Sequence, residues 1–153
     1  MTGHTDMSQE PSPTWRRLVW LLRIVLAGVL LAAAAPKIAD PAAFAAKLPN
    51  YRVFPDSLAN IVAAVAPMLE LLAAATLLTG RFYRGGVWLT AGLMAMFTAL
   101  IGSALARGID LDCGCFGALA PTAEPVGALD LARNLVLLGL ASVLVVDLGR
   151  RPA

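Results

Sequence analysis

Four long apolar stretches dominate the chain, at residues 18–35, 58–79, 87–106 and 129–148. The hydrocarbon core of a bilayer is about 30 Å thick and takes about 20 mostly apolar helical residues to cross. Each stretch reaches that length, so the sequence predicts an all-α fold, an integral membrane four-helix bundle. Composition leads to the same place. Hydrophobic residues make up 59% of the chain and charged residues 14%, against roughly 45–50% and about 25% in a soluble domain. A soluble fold of this length buries only about 68–70% of its unfolded surface, so the surplus apolar area calls for lipid. Those values argue against a soluble enzyme. A net charge of +2 leaves no electrostatic footprint for nucleic acid. Two cysteines are too few for a disulfide-dense scaffold.

The stretches leave connections at 36–57, 80–86 and 107–128, and an even number of spans puts both termini on one side. Residues 18–148 form the membrane domain, preceded by a disordered tail at 1–17 and followed by a short tail at 149–153. The first stretch also resembles a signal peptide, with Arg16 and Arg17 before it and Ala33–Ala35 as a cleavage-like site. Its apolar run exceeds the usual 7–15 or so residues of such a region, and Pro36 stands where the mature chain would start. An uncleaved helix is the better reading. Arginine and lysine near span ends then set the orientation. Arg16, Arg17, Arg23, Arg81, Arg84, Arg150 and Arg151 fall on one side, and Lys37, Lys47, Arg52, Arg107 and Arg133 on the other. Seven against five predicts a multi-pass plasma-membrane protein with cytoplasmic termini and the two longer loops outside.

Within the first of those loops, Asp40-Pro41 reads as an N-cap followed by proline at the first helical position. Residues 42–48 then predict a short interfacial helix in the extracytoplasmic loop, stopped by Pro49. Trp15, Trp20 and Trp88 fall near the cytoplasmic span ends, as an aromatic belt requires. Gly28, Ala32, Gly92 and Gly102 are candidates for close helix contact.

The sharpest chemical feature is Cys113-Gly114-Cys115-Phe116-Gly117, in the loop after the third span. On the chosen topology it faces the oxidising side, where disulfides persist. Read as a structural clip, the pair is weak. Closing a three-residue loop stabilises by roughly 1.6 kcal/mol, against about 3 kcal/mol for fifteen residues. A strained, exposed disulfide exchanges readily instead. Gly114 permits the backbone angles of a tight ring, and Gly117 leaves room for a partner's approach. Zinc usually wants four Cys or His ligands, whereas the chain has two cysteines and His4, which falls on the opposite side. No metal site is expected. Asp110 and Asp112 disfavour a thiolate, while Arg107 and Arg133 favour one.

Glu70 falls near the middle of the second span. A charge there costs on the order of 2.5–3.5 kcal/mol on insertion scales, so Glu70 should face the interior and find a partner. Arg23, Arg133 and Asn134 are the candidates in the other spans. A structural ion pair or hydrogen-bonded carboxyl is the plainer reading, and proton handling beside a redox site the functional one. Pro67 is expected to kink this span and free a carbonyl.

These residues resemble the MauE/DoxX family of redox-associated membrane proteins. The likeness runs from Leu18 to Leu148 and includes Ala27-Gly28, Lys37, Asp40-Pro41, Phe44 and Tyr51-Arg52-Val53-Phe54-Pro55. It continues through Pro67-Met68-Leu69-Glu70-Leu71, Asp112-Cys113-Gly114-Cys115-Phe116-Gly117 and Arg133-Asn134. The resemblance implies extracytoplasmic thiol–disulfide chemistry. In the methylamine system it implies maturation of the disulfide-rich small subunit of methylamine dehydrogenase. Quinone-linked disulfide-generating bundles use two cysteine pairs, and this chain has one.

Three functions are therefore carried forward. In the first, Cys113 and Cys115 exchange with an extracytoplasmic thiol/disulfide partner protein, above a polar interior shaped by Glu70, Arg23, Arg133 and Asn134. In the second, the chain is a non-catalytic membrane scaffold with a structural disulfide. In the third, it binds a quinone or small solute around Glu70. Quinone is the one cofactor the sequence suggests, and self-association into a homo-oligomer is compatible with each reading.

Overall fold

The computed structural model describes residues 12–51, 56–108 and 128–150. Its order is α1 (Pro13–Ala39), α2 (Pro41–Lys47), a 3₁₀ turn (Leu48–Tyr51), α3 (Asp56–Thr79), α4 (Tyr83–Ala106) and α5 (Ala128–Arg150). The described residues contain no strand. Four of the helices are long and apolar enough to cross a membrane. α1 packs on α3 and α5, and α4 packs on the same two helices, so the four close into an antiparallel ring. α2 lies across α3 at one end of the ring. That end is called here the loop end, and the opposite one the terminal end.

Apolar side chains fill the middle of the ring. Leu26, Leu30, Ala73, Ala74, Leu77, Val87, Met94, Leu137, Ala141 and Leu144 form one continuous buried cluster. Large apolar side chains such as Leu21, Ile61, Met68, Leu72, Trp88 and Val136 are exposed on the outer faces. A bilayer is the solvent that suits such a surface.

The helices outrun the apolar stretches at several ends. α1 starts at Pro13, capped by Ser12, whose hydroxyl accepts from Trp15 N at 3.3 Å. It therefore takes in five residues of the segment assigned to a tail. At its other end α1 continues through Pro36 to Ala39, so Pro36 and Lys37 belong to the span and not to the loop. A proline removes one backbone bond without ending a helix that its neighbours support. α4 begins at Tyr83, which cuts the expected connection to Gly80–Phe82. Gly80 and Phe82 make that turn with left-handed backbones, φ 69° and 57°. The interfacial helix is present: Asp40 Oδ1 accepts from Ala43 N at 2.9 Å. The α-helix stops at Lys47, ahead of Pro49, and a 3₁₀ turn follows at Leu48–Tyr51.

The expected glycine contacts are not where the sequence suggested. A Cβ built on Gly28 or Gly92 meets nothing within 4 Å, and one on Gly102 touches only Leu131 at 3.9 Å. Both Gly28 and Gly92 lie on outer faces. The close approach is at Gly86, where a Cβ would collide with the Thr76 hydroxyl. The small residue that matters is the one on the buried stripe of α4, a distinction spacing alone does not make.

Candidate functional site

Two polar clusters interrupt the apolar interior. The first lies toward the loop end. Lys37 on α1 donates from Nζ to Glu70 Oε1 on α3, and the pair is 2% and 0% exposed. The contact follows from helix geometry. Side chains lean toward the N-terminus of their own helix, and α1 and α3 run in opposite directions. Lys37 therefore leans down into the bundle and Glu70 leans up to meet it. Sequence reasoning offered Arg23, Arg133 or Asn134 as the partner of Glu70. The pairing residue is Lys37, which belongs to α1 and not to the loop. Its position was readable: Arg23, Ala27, Leu30, Ala34 and Lys37 recur at helical spacing and are all buried.

The ammonium of Lys37 also lies 5.4 Å from the centroid of Phe44 and 4.8 Å from that of Phe97. Both distances suit a cation on a ring face. Beside it is a small cavity of about 20 Å³ lined by Val29, Ala33, Lys37, Phe97, Ile101 and Asn134, among others. That is about the space of one water molecule. Asn134 faces this cavity and is buried, its amide donating to the Asp130 carbonyl at 3.2 Å. Among the described residues, Glu70 Oε2 is buried without a hydrogen-bond partner. An ion pair in hydrocarbon with one oxygen left over is costly, because low dielectric penalises every unpaired polar group.

The second cluster closes the terminal end. Asp147 on α5 accepts from Trp15 Nε1 on α1 at 2.9 Å and from the Tyr83 hydroxyl on α4 at 3.1 Å. Arg150 stacks over Trp15 at 4.7 Å. Arg23 lies here and not near Glu70: its Nε and Nη2 donate to the Leu77 carbonyl at 2.7 and 2.5 Å. Its guanidinium also stacks over Trp20 at 4.7 Å and Tyr83 at 4.8 Å. Trp15, expected to be a belt residue, is a hydrogen-bond donor within this network. Arg133 is elsewhere again, on the outside of α5, paired with Asp130 at 3.0 Å.

Of the sequence-based site residues, the fold brings Glu70 and Asn134 to the buried interior of the loop-end half, leaves Arg23 at the terminal end, and turns Arg133 to the outside of α5. Cys113, Gly114, Cys115, Phe116 and Gly117 lie outside the described residues. So do Asp110 and Asp112. The connection that carries them joins Ala106 at the end of α4 to Ala128 at the start of α5. Asn134 is six residues, about 9 Å of helix, from that start.

Residues 15–147 match the family described as methylamine utilisation protein MauE. The chain belongs to the MauE family. It is 34% identical over 132 residues to the methylamine utilization protein MauE of Paracoccus denitrificans, a match covering 86% of this chain and 70% of that one. The MauE of Methylophilus methylotrophus is 32% identical over 120 residues, covering 77% of this chain and 62% of its own. No solved structure matches significantly. The MauE match, residues 15–147, takes in most of the first and last long helices and all of the two between, so Lys37, Glu70 and the Cys-Gly-Cys segment all fall within it.

Proposed function

We propose that this chain is a membrane-embedded thiol–disulfide component of methylamine utilisation, with Cys113 and Cys115 as the exchanging pair. The observation that carries the reading is the Cys-Gly-Cys segment itself, placed between two spans of a MauE family member. In one direction, a thiolate of the pair attacks a partner's disulfide and displaces one partner sulfur as a thiolate. The second cysteine then attacks the mixed disulfide, leaving Cys113–Cys115 oxidised and the partner reduced by two electrons. The reverse sequence oxidises the partner's dithiol. Either way protons and electrons balance between the two proteins, and no metal is needed. The partner is an extracytoplasmic protein with a dithiol or disulfide, the termini are cytoplasmic, and the loop faces outward.

Thiol labelling in intact cells, before and after reduction, tests both orientation and redox state. Labelling from outside only after reduction supports the reading, and labelling only after permeabilisation overturns the orientation. A Cys113→Ser/Cys115→Ser variant should abolish function in cells, and the single variant that keeps the attacking cysteine should trap a mixed disulfide. Full function of the double variant with no trapped adduct would sink the exchange mechanism.

The buried pair favours a second reading, in which the bundle holds a quinone or small polar solute. The cavity beside Lys37 has Lys37 and Asn134 as its polar groups but room for only about one water molecule, so a quinone would have to displace side chains to enter it. Glu70→Gln with normal expression and normal activity would remove that reading.

A further inference from the structure

We propose that the outer face of the first half of α1 binds one anionic phospholipid, headgroup at Arg16 and Arg17 and acyl chain along the helix below. Pro13, Arg16, Arg17 and Trp20 recur at i, i+3, i+4 and i+7 and so share one face. Among the described residues these four line an open surface depression. Arg16 and Arg17 are exposed, and no carboxylate among the described residues pairs with either. Two successive arginines with no carboxylate partner among the described residues concentrate positive charge that a phosphate can offset through charge-assisted hydrogen bonds.

The rest of the face has the matching order of depths. Trp20 comes next, its indole held in place by the Arg23 guanidinium beneath it, 4.7 Å from the ring centroid. An indole at that level suits the membrane interface. Leu21, Ile24, Gly28 and Leu31 then continue the same exposed stripe. Gly28 leaves an open notch in it, since a Cβ there would meet nothing within 4 Å. From Arg17 to Leu31 the helix rises about 21 Å, enough for the interfacial layer plus one leaflet's hydrocarbon, about 15 Å. Exposed Arg81 and Arg84 at the same end of the bundle add to the positive potential. Charge complementarity selects an anionic headgroup over a zwitterionic one, whose own cation would face the arginines.

Native mass spectrometry of the purified full chain in detergent tests this, with phosphatidylglycerol, phosphatidylcholine and inorganic phosphate as probes. Phosphatidylglycerol should be retained over phosphatidylcholine. Arg16→Gln/Arg17→Gln should weaken that retention roughly 10- to 30-fold, as expected for two surface arginines. Arg16→Lys/Arg17→Lys, which keeps the charge, should retain most of it, guarding against a variant that merely unfolds. Gly28→Leu should weaken lipid retention without changing phosphate binding, because it fills only the acyl notch. Equal retention of the two lipids would overturn the proposal. So would an unaffected double glutamine variant, or complete displacement of the lipid by millimolar phosphate, which would mark a headgroup-anion site with no acyl contact.

Discussion

At the terminal end, Asp147 divides its two oxygens between the Trp15 indole and the Tyr83 hydroxyl, joining three helices. Toward the loop end, Glu70 gives one oxygen to Lys37 and leaves the other unpartnered among the described residues. Both carboxylates are buried, yet their surroundings differ in kind. Asp147 accepts from an indole and a phenol hydroxyl, close to the arginines of the helix ends, where long polar side chains reach the interface cheaply. Glu70 is met by a full positive charge carried down into the bundle, with aromatic rings and a small cavity beside it. The first arrangement is complete and reads as a clasp. The second retains an unmet hydrogen-bonding group where that is most expensive, which is the usual mark of a site kept for more than stability.

Removing one member of the pair gives the largest expected effect. Lys37→Met should destabilise the protein by about 3–5 kcal/mol, because it strands a buried charge. Lys37→Met/Glu70→Leu should recover most of that loss, since well-packed apolar side chains often replace a buried pair at little cost. Denaturant titration in detergent measures both. Function in cells then decides the comparison. If the double variant is stable and fully active, the loop-end pair is only another clasp. If it is stable and inactive, the pair serves the chemistry.

The packing that sets the two clusters apart can be broken next. Gly86→Val should cost about 1–3 kcal/mol through overpacking, because Thr76 on α3 occupies the space its side chain needs. Thr76→Ala in the same chain should return part of the loss, and the same titration reads it. Gly28→Val, on the outer face, should change stability by less than about 0.5 kcal/mol. The contrast between those two glycines would confirm which face of each helix is buried.

Asp147→Asn comes below both. It keeps the shape of the clasp and weakens two interhelical bonds that in membranes average about 0.6 kcal/mol each, with a maximum of about 1.7. A loss of about 1–2 kcal/mol with function in cells unchanged is the expected result. A loss of function at normal stability would reverse the contrast and move interest to the terminal end.

How much of this was legible follows from what sequence signals measure. Span number, helical class and the Asp40-Pro41 cap were readable because length, hydropathy and capping chemistry are local. The extent of α1 was not, because Pro36 and Lys37 look like a loop once the apolar run ends. Only the buried stripe through Arg23, Leu30 and Ala34 shows that Lys37 continues it. Glu70 was singled out correctly as needing a partner, but which cation reaches it depends on helix pairing and direction. Asp147 gave a weaker signal still, since an acidic residue at a span end is ordinary until the Trp15 and Tyr83 donors converge on it. The Cys-Gly-Cys segment lies outside the described residues, so its chemistry rests on residue type and spacing as an expectation.

The smallest effect belongs to Arg133, which the sequence grouped with the interior polar residues. Its side chain is 42% exposed and pairs with Asp130 one turn earlier on α5. Exposed pairs of this kind contribute about 0–1 kcal/mol, so Arg133→Gln should shift the unfolding midpoint barely or not at all. Arg133 nonetheless lies just after the start of α5 and close in sequence to the segment that carries the cysteines. If Arg133→Gln slows disulfide exchange measured by thiol labelling while stability is unchanged, its charge acts on the loop thiols, as an adjacent guanidinium favours a thiolate. An unchanged exchange rate would leave Arg133 as a surface ion pair. It would also confine the interior polar chemistry of the loop end to Lys37, Glu70 and Asn134.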